Sequence, residues 1–281
     1  MTTEVRPYEA PDRPELFRLM REVWGSYLSE EEFSWWFDRN PAGEPLIRLA
    51  EDDGRVVAVA CMSPYRLLLN GSVQLAYVPL HVATLPAYRG RGLFARLEQE
   101  NERAAAQRTA VAITFPNAAS RRVFTARLGW RDLPRPRVWA RPAAGRARAV
   151  ERVERFPAET GELARTLGGN GVLRDADYLN WRFADSPRAY TCLAGRDGFA
   201  VVGSRRGLSY VAELVAEPGP PTRRLLSACA SVATGPALLA PGAGPGFVPT
   251  PKRILVMGKE LRPDGRLPER WRFSLGDGDS W

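Results

Sequence analysis

The sequence predicts an α/β protein built as two tandem domains, and three observations carry that reading. Strand-like and helical segments alternate along all 281 residues. A basic turn punctuated by glycines, Arg89-Gly90-Arg91-Gly92, stands between a β-branched run and a helix. The chain also repeats a pattern of its own: Trp35-Trp36-Phe37 before Pro41 returns as Trp181-Arg182-Phe183 before Pro187, and Leu49-Ala50 before Asp53-Gly54 returns as Leu193-Ala194 before Asp197-Gly198. The offset is 146 residues at the Trp and 144 at the Asp-Gly, and repetition at a nearly constant spacing points to a duplicated unit.

Taken in order, hydrophobic periodicity predicts a strand at Val5–Tyr8, a helix over Glu15–Tyr27 and a short helix over Glu31–Asp38. Strands follow at Leu46–Glu51, Val56–Leu69 and Val73–Thr84, with Asn70-Gly71 and Asp53-Gly54 as hairpin turns in which glycine supplies positive φ. Next come a long helix at Leu93–Gln107, a strand at Ala110–Phe115, a helix at Ala118–Leu128 and a closing strand at Arg137–Ala140. The Pro/Gly-punctuated segment 141–149 reads as a linker. The second half offers Val150–Phe156, helices near Glu159–Leu167 and Asp175–Phe183, and strands near Tyr190–Ala194, Phe199–Arg205 and Ser209–Ala216. A helix at Thr222–Ala233 and strands near Ala237–Leu239 and Ile254–Leu261 complete it. The expected domains are therefore 1–140 and 150–281.

The basic turn has a physical use. Its glycines let the backbone approach a ligand, and the helix that follows presents unpaired N–H groups and the positive end of its dipole. Arg89 and Arg91 add charge, so the turn suits a phosphate or pyrophosphate. An ordinary βα turn with a solvated basic surface is the alternative.

Arg89-Gly90-Arg91-Gly92 after a strand, then Asn117-Ala118-Ala119-Ser120, then Leu128-Gly129-Trp130, resembles the GNAT superfamily of acyl-CoA-dependent N-acyltransferases. The resemblance implies a mixed, mostly antiparallel sheet flanked by helices in each domain, with acetyl-CoA or another acyl-CoA as co-substrate and no metal. It implies that Gly90, Gly92, Leu93, Phe94 and Ala95 hold the pyrophosphate with Arg89 and Arg91. Val82, Ala83 and Thr84 would pair with the pantetheine arm, and Asn117 and Ser120 would touch it from the other side. Asn117 and Ser120 also read as helix-capping residues. Many members of the family carry a tyrosine where this chain has Phe124, which cannot protonate a leaving thiolate. A thiol with a pKa of about 8.5 needs little help to depart.

For the general base, three groups are candidates. Tyr77 lies on the coenzyme strand, though a buried strand aromatic is more often core. His81, the one histidine, follows on the same face by alternation and has a suitable pKa, though a strand histidine is often structural. The third is the carboxyl end at Trp281, in the tail Gly276-Asp277-Gly278-Asp279-Ser280-Trp281. That tail distantly resembles the enhanced-intracellular-survival acetyltransferases, tandem members of the superfamily that are longer than this chain and end in a catalytic aromatic residue. A frayed terminus is the alternative. In the second half, Glu217-Pro218-Gly219-Pro220-Pro221-Thr222 occupies the place of a coenzyme loop, but its prolines remove backbone donors. One active site per chain is expected.

Glu30, Glu31, Glu32, Trp35 and Trp36 flank the expected acceptor cleft and would suit a cationic or sugar-like amine. The stronger reading is structural, with the glutamates as first-turn helix charges and Trp35, like Trp181 in the repeat, as a core anchor. The net charge is +8, yet Lys252 and Lys259 are the only lysines among 40 basic residues. The arginines are spread and interleaved with acids rather than gathered in a stripe, which argues against nucleic acid as partner. Cys61, Cys192 and Cys229 show no paired or metal-ligand spacing. No membrane span or signal peptide is expected, so cytoplasmic is the default location. The whole predicts direct transfer of an acyl group, foremost acetyl, to a primary amine of a small molecule or amino sugar. A non-catalytic acyl-CoA-binding or regulatory protein, and an O-acyl or longer-chain acyl transferase, are the alternatives.

Overall fold

In the computed structural model, which describes residues 3–25, 28–145, 150–242, 244 and 246–278, the chain divides into two units. The first takes its residues from 1–65, 75–132 and 257–267, the second from 66–74, 133–256 and 268–281. Among the described residues, no helix is long and apolar enough to cross a membrane.

The first unit begins with β1 (Glu4–Pro7), α1 (Arg13–Trp24) and α2 (Glu30–Phe33), which runs on into a five-residue π-helical turn, Ser34–Asp38. Next come β2 (Leu46–Asp52), β3 (Arg55–Leu69), β4 (Ser72–Thr84), α3 (Leu93–Ala106), β5 (Val111–Thr114), α4 (Ala118–Leu128) and β6 (Arg131–Asp132). α1 buries Leu16, Leu19 and Met20, the i, i+3, i+4 stripe that lays a helix on a sheet. α3 buries Leu93, Leu97 and Ala105 together with Glu98, Asn101 and Glu102, so polar groups share its inner face.

The second unit holds β7 (Arg137–Pro142), β8 (Glu151–Val153), α5 (Thr160–Gly168), β9 (Gly171–Val172), α6 (Ala176–Leu179), β10 (Tyr190–Gly195), β11 (Gly198–Arg205), β12 (Leu208–Ala216), α7 (Pro220–Ser231), β13 (Ala237–Ala240) and β14 (Val248–Arg253). Its sheet runs β14-β7-β13-β12-β11-β10-β8, with β12 and β13 parallel. Leu193, Val202, Val211, Leu226, Cys229 and Leu238 belong to its core. The tip of the β3–β4 hairpin, residues 66–74, counts with this unit, where Leu67 pairs with Val172 and Leu68 with Gly171.

The last strand, β15 (Met257–Glu260), returns to the first unit and completes the order β1-β2-β3-β4-β5-β15-β6. β4 and β5 run parallel, and β15 is antiparallel to both β5 and β6. This differs from the contiguous domains expected at 1–140 and 150–281, and the cause is packing. Met257 is fully buried with Ala95, Ala112, Phe124, Leu128 and Trp130. The Lys259 ammonium donates to Glu102 and to the Leu128 carbonyl, each at 2.6 Å. Conversely, Arg137–Ala140, expected to close the first sheet, opens β7 of the second. The expected linker is partly strand, and residues 146–149 lie outside the described set.

The internal repeat is visible as structure. α2 begins at Glu30 and its π turn at Ser34; α6 begins at Ala176 and its π turn, Asn180–Ala184, at Asn180, an offset of 146 in both cases. π turns are rare, so finding one at each copy of the repeat is a specific likeness. The caps match too: the Ser29 side chain accepts from the Glu32 N–H and Asp175 from the Tyr178 N–H. Trp35, Phe37, Trp181 and Phe183 are all buried. The hairpin glycines differ. Asp53 and Gly54 take positive φ, +49° and +74°, the turn that suits two twisted strands. Gly198 is a strand residue, and a Cβ there would stand 2.4 Å from the Val215 carbonyl oxygen and 2.8 Å from Leu225. Close approach, not φ, demands that glycine.

Candidate active site

β4 supplies one wall of the site through a break in its own regularity. His81 has φ +51°, a left-handed conformation that a strand interior does not tolerate without a bulge. The parallel ladder to β5 holds the pair Tyr77↔Ala112; further along, the link to β4 passes through the Thr114 hydroxyl, which donates to the Pro79 carbonyl at 3.1 Å. The ladder pair between β4 and β5 is at Tyr77, short of Val82 and Thr84. Beyond β4 a 3-10 turn, Pro86–Tyr88, leads to Gly90 and Gly92, with φ of +78° and +79°. Gly92 caps α3 without a side chain, so the first-turn N–H groups of Leu93, Phe94 and Ala95 have no intrahelical acceptor and face outward.

A cleft of about 500 Å³ lies in front of that helix end. Val82, Thr84, Arg89, Gly90, Gly92, Leu93, Phe94, Ala95, Asn117 and Ser120 line it, together with Val23, Trp24, Tyr88, Ala119, Val123 and Arg127. Of the coenzyme residues expected from sequence, Ala83 and Arg91 are the two that do not line it. Ala83 is buried on the other side of the strand, and the Arg91 guanidinium lies 4.7 Å over the Tyr88 ring and donates to the Ala87 carbonyl. Asn117 caps α4, its side-chain oxygen accepting from the Ala119 and Ser120 N–H groups at 3.0 and 2.9 Å, and it borders the cleft. Arg127, which sequence reading passed over, comes from the last turn of α4. Its Nη1 lies 3.5 Å from where a Gly92 Cβ would stand. Only its position two residues before the helix-ending Gly129 could have flagged it. Trp24, at the end of α1, was equally unmarked.

Residues 4–132 match the family model described as acetyltransferase (GNAT) domain. This half of the chain is a GNAT acetyltransferase domain. Solved structures agree in fold over nearly the whole chain. A GCN5-related N-acetyltransferase from Kribbella flavida is 17% identical, with a TM-score of 0.71 over 92% of this chain and 72% of that one. One from Anabaena variabilis is 13% identical, with a TM-score of 0.72 over 93% and 73%. Eis1 from Mycobacterium abscessus is 15% identical, with a TM-score of 0.66 over 92% and 74%. No curated protein matches the chain in sequence.

Within the GNAT domain the candidate bases fare differently. Tyr77 is buried with Leu46, Met62 and Ala105. Its hydroxyl donates to the Glu44 carbonyl at 3.2 Å and accepts from Arg108 at 3.1 Å. It does not border the cleft. His81 packs on Trp24, Trp36 and Phe37, ring centroids 5.9–6.2 Å away. Alternation placed these two residues together; the positive φ at His81 breaks the alternation and sends the rings to different helices. Phe124 is core, edge-on to Phe94 at 5.4 Å and to Trp130 at 5.0 Å. Trp35 and Trp36 are buried, Glu32 closes a capping box with Ser29, and Glu30 and Glu31 are exposed in the first turn of α2.

Trp281 lies outside the described residues, but the tail before it is anchored in the second unit. Arg174 donates to both oxygens of Asp277 at 2.9 and 3.0 Å and to Glu213 at 2.6 Å. Arg182 holds the Gly276 and Gly278 carbonyls, each at 3.0 Å. Burial pushes the Asp277 carboxyl up and outweighs the pull of Arg174. As far as Gly278, this is built structure and not a frayed end.

Proposed function

We propose that the protein is an acyl-CoA-dependent N-acyltransferase that moves an acyl group, foremost acetyl, to a primary amine of a small molecule or amino sugar. The observation that carries the reading is the uncapped start of α3, Gly92 in the left-handed region, opening on a 500 Å³ cleft. Three first-turn N–H groups, the helix dipole and the Arg89 and Arg127 side chains make that end a pyrophosphate seat. The end of β4 at Val82 and Thr84 and the Asn117 end of α4 would flank the pantetheine arm. Acetyl-CoA supplies the acyl group as a thioester.

The chain's own part is to orient that carbonyl toward a neutral amine, take the amine proton and keep bulk water away. Trp24 and Phe94 provide apolar walls. Among the described residues, the cleft lining contains no aspartate, glutamate or histidine. His81, next in sequence to Val82, is the base candidate nearest the cleft along the strand, and the Trp281 carboxylate is the other. Burial pushes the three thiols up, Cys192 to about 11, Cys229 to about 12 and Cys61 well above its ordinary value. A protonated thiol is a poor nucleophile, which favours direct transfer over an acyl-cysteine. The second half is proposed as a copy of the fold without a coenzyme seat.

Thiol release from acetyl-CoA across a panel of alkylamines and amino sugars tests this. Amine-dependent release supports it. Tight acetyl-CoA binding with no release from any amine favours the binding-protein reading, for which the buried Phe124 and the carboxylate-free lining speak. Deleting residues 279–281 leaves the Arg174–Asp277 anchor in place, and should cut turnover while sparing coenzyme affinity if Trp281 acts; unchanged turnover would leave His81.

A further inference from the structure

The far end of α3 carries a feature that the coenzyme cleft does not use. A second cavity of about 420 Å³ in the same unit is bordered by Tyr8, Pro45, Leu46, Arg48, Gln107 and Arg108, among others. At about 1.5 Å per residue, the 14 residues of α3 put its two ends about 20 Å apart. Two guanidinium groups reach this cavity from different elements. By alternation along β2, Arg48 shares a face with Leu46, which packs beside Tyr77 and Ala105. Arg108 follows the C-terminus of α3 and is held by the Tyr77 hydroxyl at 3.1 Å, which in turn donates to the Glu44 carbonyl.

Among the described residues, no carboxylate hydrogen-bonds to either guanidinium. Arg48 is half-buried and donates to the Ile47 carbonyl at 3.2 Å. Two acids act on the guanidiniums. Glu100 is taken by Arg103 at 2.7 Å. Glu44 stands 3.8 Å from Arg108 and is 85% exposed, where water screens it. Burial, with Arg108 as a like charge nearby, holds the Arg48 guanidinium below its ordinary value, and Glu100 offsets this in part. A half-buried cation facing another cation beside apolar walls is a disfavoured arrangement that a bound anion relieves.

We propose that this cavity binds a small oxyanion, its carboxylate or phosphate head on Arg48 and Arg108 and a short apolar body against Tyr8, Pro45 and Leu46. Tyr77 is then a positioning residue that aims Arg108. The proposal does not rest on the acyltransferase reading.

The test is calorimetric titration of the purified protein with phenyl phosphate and with benzoate, in the presence and absence of coenzyme A. Expected is one site per chain for at least one probe, unaffected by coenzyme A, and weakened tenfold or more in Arg48→Gln and in Arg108→Gln. Tyr77→Phe should weaken it several-fold. Arg262→Gln, which removes an exposed cation paired with its neighbour Asp264, should not. Melting temperatures of the variants establish that they fold. Equal affinity in Arg48→Gln and the parent, equal loss in Arg262→Gln, displacement of the probe by coenzyme A, or no binding of either probe would each overturn the proposal. Tungstate soaked into crystals should give density between the two guanidiniums; density confined to the Gly90–Ala95 turn would also overturn it.

Discussion

α3 and α7 begin at corresponding places in the two copies of the repeat, each after the strand that runs parallel to the next one in its sheet, and they begin differently. α3 starts Gly92, Leu93, Phe94, Ala95, with a left-handed glycine and three first-turn N–H groups free to bind. α7 starts Gly219, Pro220, Pro221, Thr222. Proline is comfortable in a first helical turn because the hydrogen there lacks a partner in any case, so the helix loses nothing while the anion site loses two donors. The Thr222 hydroxyl turns back to the Glu217 carbonyl at 2.7 Å. The strands before them are irregular in different ways: His81 of β4 has positive φ, whereas β12 has no positive-φ residue and slips register at Ala212 against Val201 and Val202 of β11. The two copies thus keep one architecture and differ at the helix start, where Pro220 and Pro221 stand in α7 in place of residues with free N–H groups.

The largest expected effect breaks the comparison at its first residue. Gly92→Glu should abolish acetyl-CoA binding, because φ +79° disfavours any side chain and a carboxylate would face the pyrophosphate. Gly219→Glu, the counterpart at α7, should leave affinity and stoichiometry unchanged by calorimetry.

Next in size is the second unit's own load. Arg174→Met leaves Asp277 and Glu213 buried without their hydrogen-bonded cation, and should cost about 3–5 kcal/mol in urea unfolding. Glu98 presents the opposite case in the first unit. It is fully buried, and neither carboxylate oxygen has a hydrogen-bond partner. Burial, reinforced by Glu102, pushes its carboxyl well above the usual range. Below the unfolded-state value of about 4.3 both states are protonated and nothing changes. Above it the unfolded chain releases a proton that the native state keeps, so stability falls as pH rises toward the native value. Glu98→Gln should remove that slope and stabilise the protein by about 1–2 kcal/mol at pH 7, measured as urea midpoints from pH 4.5 to 8. A parallel pair of pH profiles would contradict this.

The smallest contrast compares cations. Arg127→Ala should weaken acetyl-CoA binding about tenfold, the loss of one charge-assisted contact. Arg224→Ala on α7, which loses an exposed pair with Asp197, should leave coenzyme affinity unchanged.

How much of this was legible in the sequence depended on the range of the interaction. The Gly90–Ala95 turn, the Asn117 cap and the span of α4 are local, decided by φ and by capping within a few residues, and they read directly. The Trp-x-Phe repeat was visible, but its π turn was not, because the pattern of buried rings is nearly the same in either helix. The positive φ at His81 escaped because alternation assumes an unbroken strand. Arg127 and Trp24 enter the cleft from elements distant in sequence, and nothing local marks them. The placement of β15 was hidden for the same reason: Met257 and Lys259 find Phe124 and Glu102 only across the folded sheet.

Titration calorimetry of acetyl-CoA against the intact chain tests the central claim most directly. One saturable site per chain, lost in Gly92→Glu and kept in Gly219→Glu, is the predicted result. Two sites, or a single site that survives Gly92→Glu and disappears in Gly219→Glu, would contradict it.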